Sequence, residues 1–187
     1  MNKKMKMFII CAVFVLLSSC ENFTGRLEQD SLSEQGGLSE QVSSNIIKFS
    51  EFTVKIKNKD NSSNWSNLGT LVIRKEEDGI ETGLNVIGTI DGQVRGHSAT
   101  FFCMEKSEVN NFVKAMTYGG SFKTSSYYGD KNEQSFTSGI KNKEIKTKIE
   151  TINGSEYIAF LGDKIKDSGD KVAEYAISLE ELKKNLK

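Results

Sequence analysis

From Ile46 onward, apolar and polar residues alternate with a period of two, which is the mark of half-buried strands. Ile47, Phe49, Phe52, Val54 and Ile56 outline a first strand, with a slip near Ser50–Glu51 that reads as a bulge. Asn58–Asn64 is a polar loop, and Leu68–Arg74 is a second strand. Glu76-Glu77-Asp78-Gly79 closes a hairpin, with glycine where positive φ is needed. Ile80–Ile90 continues extended, Asp91-Gly92 turns the chain, and Ser98–Met104 returns it. The period then changes. Within Glu105–Tyr118, Val109, Phe112, Val113 and Met116 fall on one helical face, with Glu105 or Ser107 at the start and Gly119-Gly120 as the stop. Phe122–Tyr128 is extended again, and Lys143–Ile152 and Glu156–Leu161 flank the Asn153-Gly154 turn. Lys171–Ile177 is a last strand, and Ser178-Leu179-Glu180-Glu181 is a capping box opening a helix through Lys187. Short antiparallel strands with one inserted helix predict an α+β domain. Its sheet is mainly antiparallel and curled or barrel-like, with one central helix and a short C-terminal helix.

The first residues obey neither period. Lys3, Lys4 and Lys6 precede an apolar run, Met7–Leu17, which is too short to span a bilayer. The ending Leu17-Ser18-Ser19-Cys20 fits a bacterial lipobox, in which the cysteine is lipidated and becomes the first mature residue. Residues 1–19 therefore read as a lipoprotein signal peptide and Cys20 as the lipidation site. Residues 20–45 are rich in Ser, Glu, Gln and Gly and bury too little apolar surface to order themselves. As a flexible coil this tether spans ~25–30 Å. Residues 46–187 form the single globular ligand-binding domain.

Removing the first 19 of 187 residues takes away three lysines and no acids, so the formal charge falls from 0 to −3. That balance gives no case for nucleic acid as a partner. With Cys11 lost and Cys20 lipidated, Cys103 is left without a pair for a disulfide and is expected to be a small buried hydrophobe. His97 is the only histidine, so a histidine metal cluster is excluded, and no serine sits in a nucleophile elbow. The glycines do not form a phosphate loop. The chain reads as a non-enzyme without cofactor or metal; hydrolysis by carboxylates alone is the weakest reading. What remains is surface recognition. Glu76, Glu77, Asp78 and Glu81 gather at one hairpin as an acidic knob, and Trp65, Tyr118, Tyr127 and Tyr128 lie beside loops, where an exposed ring anchors a partner. Lys183, Lys184 and Lys187 crowd the C-terminus.

The opening MNKKMKMFIICAVFVL, the strand FSEFTVKIKNK, the block GHSATFF, the helix VNNFVK followed by GGSFKTS, and the tail SGDKVAEYAISLEELKKNLK together resemble the OspE-related (Erp) surface lipoproteins of Lyme-disease spirochaetes. The tether and the Asn85–Arg95 stretch are the most individual parts. The resemblance implies a lipoprotein anchored in the bacterial outer membrane, exposed at the surface, and binding host complement factor H through that regulator's C-terminal domains for complement evasion. Factor H-related proteins are further partners by the same resemblance. Several such proteins also bind plasminogen, for which Lys183, Lys184 and Lys187 match the implicated tail. A plasminogen- or matrix-binding adhesin is therefore the alternative function. Factor H carries a basic patch, so the acidic Glu76, Glu77, Asp78 and Glu81 form the expected factor H site by charge complementarity.

Overall fold

The computed structural model describes residues 49–60, 63–90 and 93–187. Ten strands, β1 (Phe52–Lys59), β2 (Trp65–Glu76), β3 (Gly79–Ile90), β4 (Gln93–Glu105), β5 (Gly120–Lys123), β6 (Ser126–Tyr127), β7 (Ile140–Lys141), β8 (Glu144–Ile152), β9 (Ser155–Lys164) and β10 (Val172–Ser178), form one sheet. Every pairing is antiparallel, in the order β5-β8-β9-β10-β1-β2-β3-β4-β6-β7. β5 leads almost directly into β6, and β7 into β8, so one bent ribbon joins the two ends of that order. Thr124 N, between β5 and β6, donates to Lys143 O at 2.9 Å and holds the ribbon at its bend. The sheet thereby curls as expected. Phe101 on β4 meets Phe160 on β9 at 6.4 Å and Tyr175 on β10 at 5.2 Å, across the inside of the curl.

Helix α1 (Val109–Tyr118) lies on β5 and β8, and α2 (Leu179–Asn185) on β9, β10 and β1. The apolar stripe of α1 buries Val109, Phe112 and Met116, and Phe112 stands edge-on to Phe122 of β5 at 5.2 Å. Thr147 Oγ1 of β8 donates to Ala115 O at 2.7 Å, which ties the end of α1 to the sheet. Gly119 follows with φ of 83°, as the glycine stop predicts. Asn153 and Gly154, at φ of 51° and 81°, make the expected two-residue turn between β8 and β9.

Several expectations shift. No bulge falls at Ser50–Glu51, which precede β1; the register shift lies between Ile56 and Lys57, where Leu68 of β2 is the extra residue. The buried ring of Phe49 packs edge-on against Phe52, 5.8 Å away. The helix begins at Val109, after a 3-10 turn over Lys106–Glu108, and neither Glu105 nor Ser107 caps it. Glu105 stays in β4 opposite Gly79, and the Glu108 carboxylate accepts from Lys123 N at 3.0 Å and from Asn111 at 3.2 Å. Those two hydrogen bonds hold the Glu108 carboxyl below the usual range. The capping box of α2 is half formed. Ser178 Oγ accepts from Glu181 N at 3.4 Å, whereas the Glu181 carboxylate accepts from Lys55 N on β1 at 3.2 Å. α2 stops at Asn185, before Lys187. The extended stretch at 122–128 divides into β5 and β6, and β7 is a strand the pattern does not announce. Cys103 is buried, as expected of a small hydrophobe. The signal peptide, Cys20 and the tether lie outside the described residues.

Candidate functional site

The β2–β3 turn is two residues long, Glu77 and Asp78, because Glu76 pairs directly with Gly79. Gly79 has φ of 156°, and a Cβ there would sit 1.9 Å from Met104 O, so glycine lets β4 close against the base of the turn. Lys106 N then donates to Asp78 O at 2.7 Å and fastens the turn to the end of β4. This construction presents Glu76, Glu77 and Asp78 to solvent at one pole of the sheet, with Glu81 half-buried just behind.

Register carries the site across the outer face. Arg74 pairs with Glu81, Glu81 with Cys103, Cys103 with Ser126 and Ser126 with Lys141, giving one row over five strands. Along this row an open groove of about 440 Å³ is lined by Glu76, Glu77, Asp78, Glu81 and Glu105 on the hairpin side, and by Tyr128 and Lys141 from the β6–β7 side. Arg74 Nε binds Glu51 at 2.9 Å and lies 3.9 Å from Glu76. Glu51, Glu76 and Glu81 all strengthen the hold of Arg74 on its proton, with the Glu51 hydrogen bond the largest cause. Lys141 Nζ donates to Ser126 Oγ at 2.7 Å. Five carboxylates against one lining cation, Lys141, leave the groove acidic. Glu81 is steadied by Thr100 Oγ1, which donates to it at 3.3 Å. The groove is suited to receiving cationic side chains from a partner's surface.

The structure thus brings Glu76, Glu77, Asp78 and Glu81 together as anticipated and adds Glu105, Tyr128 and Lys141. Glu105 was hidden by one residue of register. Counting from Ile90 opposite Gln93 puts Met104 across from Gly79, but the bulge at Phe101 shifts Glu105 there instead. That bulge is fixed by Thr82 Oγ1, which donates to Phe102 O at 2.8 Å and accepts from Phe102 N at 3.0 Å.

The C-terminal lysines lie elsewhere. Lys183 and Lys184 are exposed in the last turn of α2, Lys187 is exposed beyond it, and Lys183 Nζ stands 6.0 Å over the ring of Tyr118. Of the four aromatics noted beside loops, Tyr118 is 74% exposed, Trp65 and Tyr128 are half-buried, and Tyr127 is a core residue at 0%. Tyr127 is no surface anchor, because the ribbon turns its ring inward to meet Phe101 at 5.7 Å. His97 is exposed, with its ring 6.1 Å from that of Phe136. Among the described residues no group of three or more His, Cys, Asp or Glu could hold a metal ion, and no helix is long and apolar enough to cross a membrane.

These features define a sheet-dominated α+β protein with an open acidic groove on the outer face of a curled sheet. The family model of Borrelia outer surface protein E matches residues 49–185, and the chain belongs to that family. It is 72% identical to a Borrelia burgdorferi protein named complement regulator acquiring outer surface protein BbCRASP-4 or ErpC, covering 75% of this chain and 99% of that one, with a TM-score of 0.69. Complement regulator-acquiring surface protein 3 (CRASP-3, ErpP) of the same organism is 70% identical over 75% of this chain and 99% of its own, with a TM-score of 0.67. The solution structure of outer surface protein E is 64% identical and covers 86% of this chain and all of its own, with a TM-score of 0.67. No curated protein matches the chain.

Proposed function

We propose that this protein captures host complement factor H, through that regulator's C-terminal domains, while held on the bacterial outer surface by lipid on Cys20. The observation that carries the reading is the 72% identity across 99% of a protein named for acquiring complement regulators. The acidic groove supports it chemically, since a basic patch on the partner would meet Glu76, Glu77, Asp78, Glu81 and Glu105. The test is binding of the Glu21–Lys187 fragment to purified factor H and to its two C-terminal domains at low and high salt. Binding that localises to those domains and weakens with salt is the expected result; no binding to any factor H fragment would overturn the reading. Lipid on Cys20 is checked separately by mass spectrometry of the mature protein beside a Cys20→Ala variant, which should keep its leader unprocessed.

A second reading, plasminogen binding through Lys183, Lys184 and Lys187, rests on the exposure of these lysines on and beyond α2. Deleting the tail is a poor test because Leu186 is buried in the core cluster. Replacing the three lysines by glutamine removes the charge and keeps the packing.

A further inference from the structure

We propose that Glu133 is the positioning residue of the acidic groove. From inside the protein its carboxylate pins the 128–139 segment and so sets where Tyr128 stands in the groove. This rests on the groove being the partner site. The segment has no regular strand or helix beyond one isolated bridge, Glu133 to Ile165, yet it is compact and its ends meet. Tyr127 pairs with Ile140, and a Cβ on Gly139 would come within 2.9 Å of the Tyr128 ring. Ser135 Oγ donates to Tyr128 O at 2.8 Å, and Gly139 N donates to Ser135 O at 2.7 Å.

Glu133 is the centre of this loop and is 1% exposed. Its carboxylate accepts from Asp130 N at 2.8 Å and from Tyr127 Oη at 3.0 Å. Tyr175 Oη of β10 and Asp163 N of β9 donate to it as well. Donors thus arrive from the loop, β6, β9 and β10 onto one side chain. The surroundings are shaped for it, since a Cβ on Gly129 would lie 2.1 Å and one on Gly162 2.6 Å from its oxygens. The connection to the groove is direct. Tyr127 and Gly129, the two neighbours of Tyr128, both touch this carboxylate, and Tyr128 lines the groove. Tyr128 N and Gly129 N also both donate to Phe101 O, at 2.9 and 3.0 Å, so Tyr128 is tied to the β4 bulge from the other side. Nothing in the sequence around Glu133 sets it apart from a surface acid.

Glu133→Gln keeps the shape but replaces one acceptor oxygen with an amino group facing donors, and it leaves the surface charge unchanged. The experiment compares the wild type, Glu133→Gln and Tyr175→Phe by hydrogen exchange, by NMR of ring-labelled Tyr128, and by kinetics with the two C-terminal domains of factor H. The expected result is exchange at least about tenfold faster within 129–139, with the β1–β2 and β8–β9 amides unchanged, and a shifted Tyr128 signal. Dissociation should be faster by about tenfold with association within about twofold, because steering depends on surface charge. Tyr175→Phe, which removes one donor, should move every readout the same way by less. An unmoved Tyr128 signal with an unchanged loop would overturn the proposal. So would an equal loss of protection throughout the sheet, which marks a merely structural role. If wild-type protein does not bind factor H, the reading of the partner fails, and the Tyr128 and exchange results still decide whether Glu133 positions the groove. Should Glu133→Gln fail to fold, Tyr175→Phe carries the same decision.

Discussion

Replacing Glu76, Glu77 and Asp78 together by alanine removes three of the five carboxylates lining the groove while leaving its backbone intact. The turn itself depends on Gly79 and on the bond from Lys106 N to Asp78 O, neither of which involves the altered side chains. All three acids are exposed, so each facing cation on a partner contributes about 0.2–1 kcal/mol. Three such pairs amount to ~1.5 kcal/mol, or roughly a tenfold loss of affinity. The loss at Glu76 falls at the low end, because Arg74 lies 3.9 Å away and already shares its charge. Screening gives the second signature. The Debye length shrinks from ~10 Å at 0.1 M salt to ~3 Å at 1 M, so the wild type and the variant should converge in affinity as salt rises. The loss should appear chiefly in the association rate, as expected for exposed charges at the edge of an interface. Surface plasmon resonance against the C-terminal domains of factor H, across a salt series, measures both quantities, with thermal unfolding as the control for folding. Equal affinity and an equal salt slope in the two proteins would refute the placement of the site at this hairpin.

Other outcomes follow from the same geometry. Phe101→Ala empties a fully buried position among Phe102, Tyr127, Phe160 and Tyr175, at centroid distances of 5.2 to 6.4 Å. It should cost about 3–5 kcal/mol and lower the midpoint of thermal unfolding by ~10–15 °C, measured by calorimetry. Burial pushes the Glu133 carboxyl above its ordinary value of 4.5, against the pull of bonds from Tyr175, Asp130 N, Asp163 N and Tyr127. The groups facing it are the two tyrosines, both pushed well above their ordinary range, chiefly by burial, with Asp130 and Asp163 near them. A raised folded value means that this group's stabilisation is complete below about pH 4.5 and is lost as pH rises through the folded value. Urea unfolding should therefore show the wild type gaining on Glu133→Gln as pH falls, and a pH-independent difference would contradict the shift. Replacing Lys183, Lys184 and Lys187 by glutamine should abolish plasminogen capture in a pull-down while leaving factor H affinity within about twofold, since none of the three lines the groove.

Local pattern was enough to determine the long strands, both helices and the acidic hairpin, but not β7 or the break between β5 and β6. Period-two alternation marks β1, the stripe from Val109 to Met116 marks α1, and Asn153-Gly154 can hardly be anything but a two-residue turn. These features rest on contacts between near neighbours, which is why they can be read from the chain alone. The family, too, is legible in the string of residues. What only the tertiary structure decided depends on partners distant in sequence. Whether Tyr127 faces core or solvent is set by the bend between β5 and β6, and which acid stands beside Gly79 is set by one bulge at Phe101. The burial of Glu133 is the sharpest case. A carboxylate in a polar, glycine-containing segment is ordinarily solvated, and only donors drawn from Tyr127, Asp130, Asp163 and Tyr175 make its burial affordable. The acidic groove likewise arises because antiparallel register lays Glu81, Cys103, Ser126 and Lys141 in one row, a relation that exists only after β3, β4, β6 and β7 have paired.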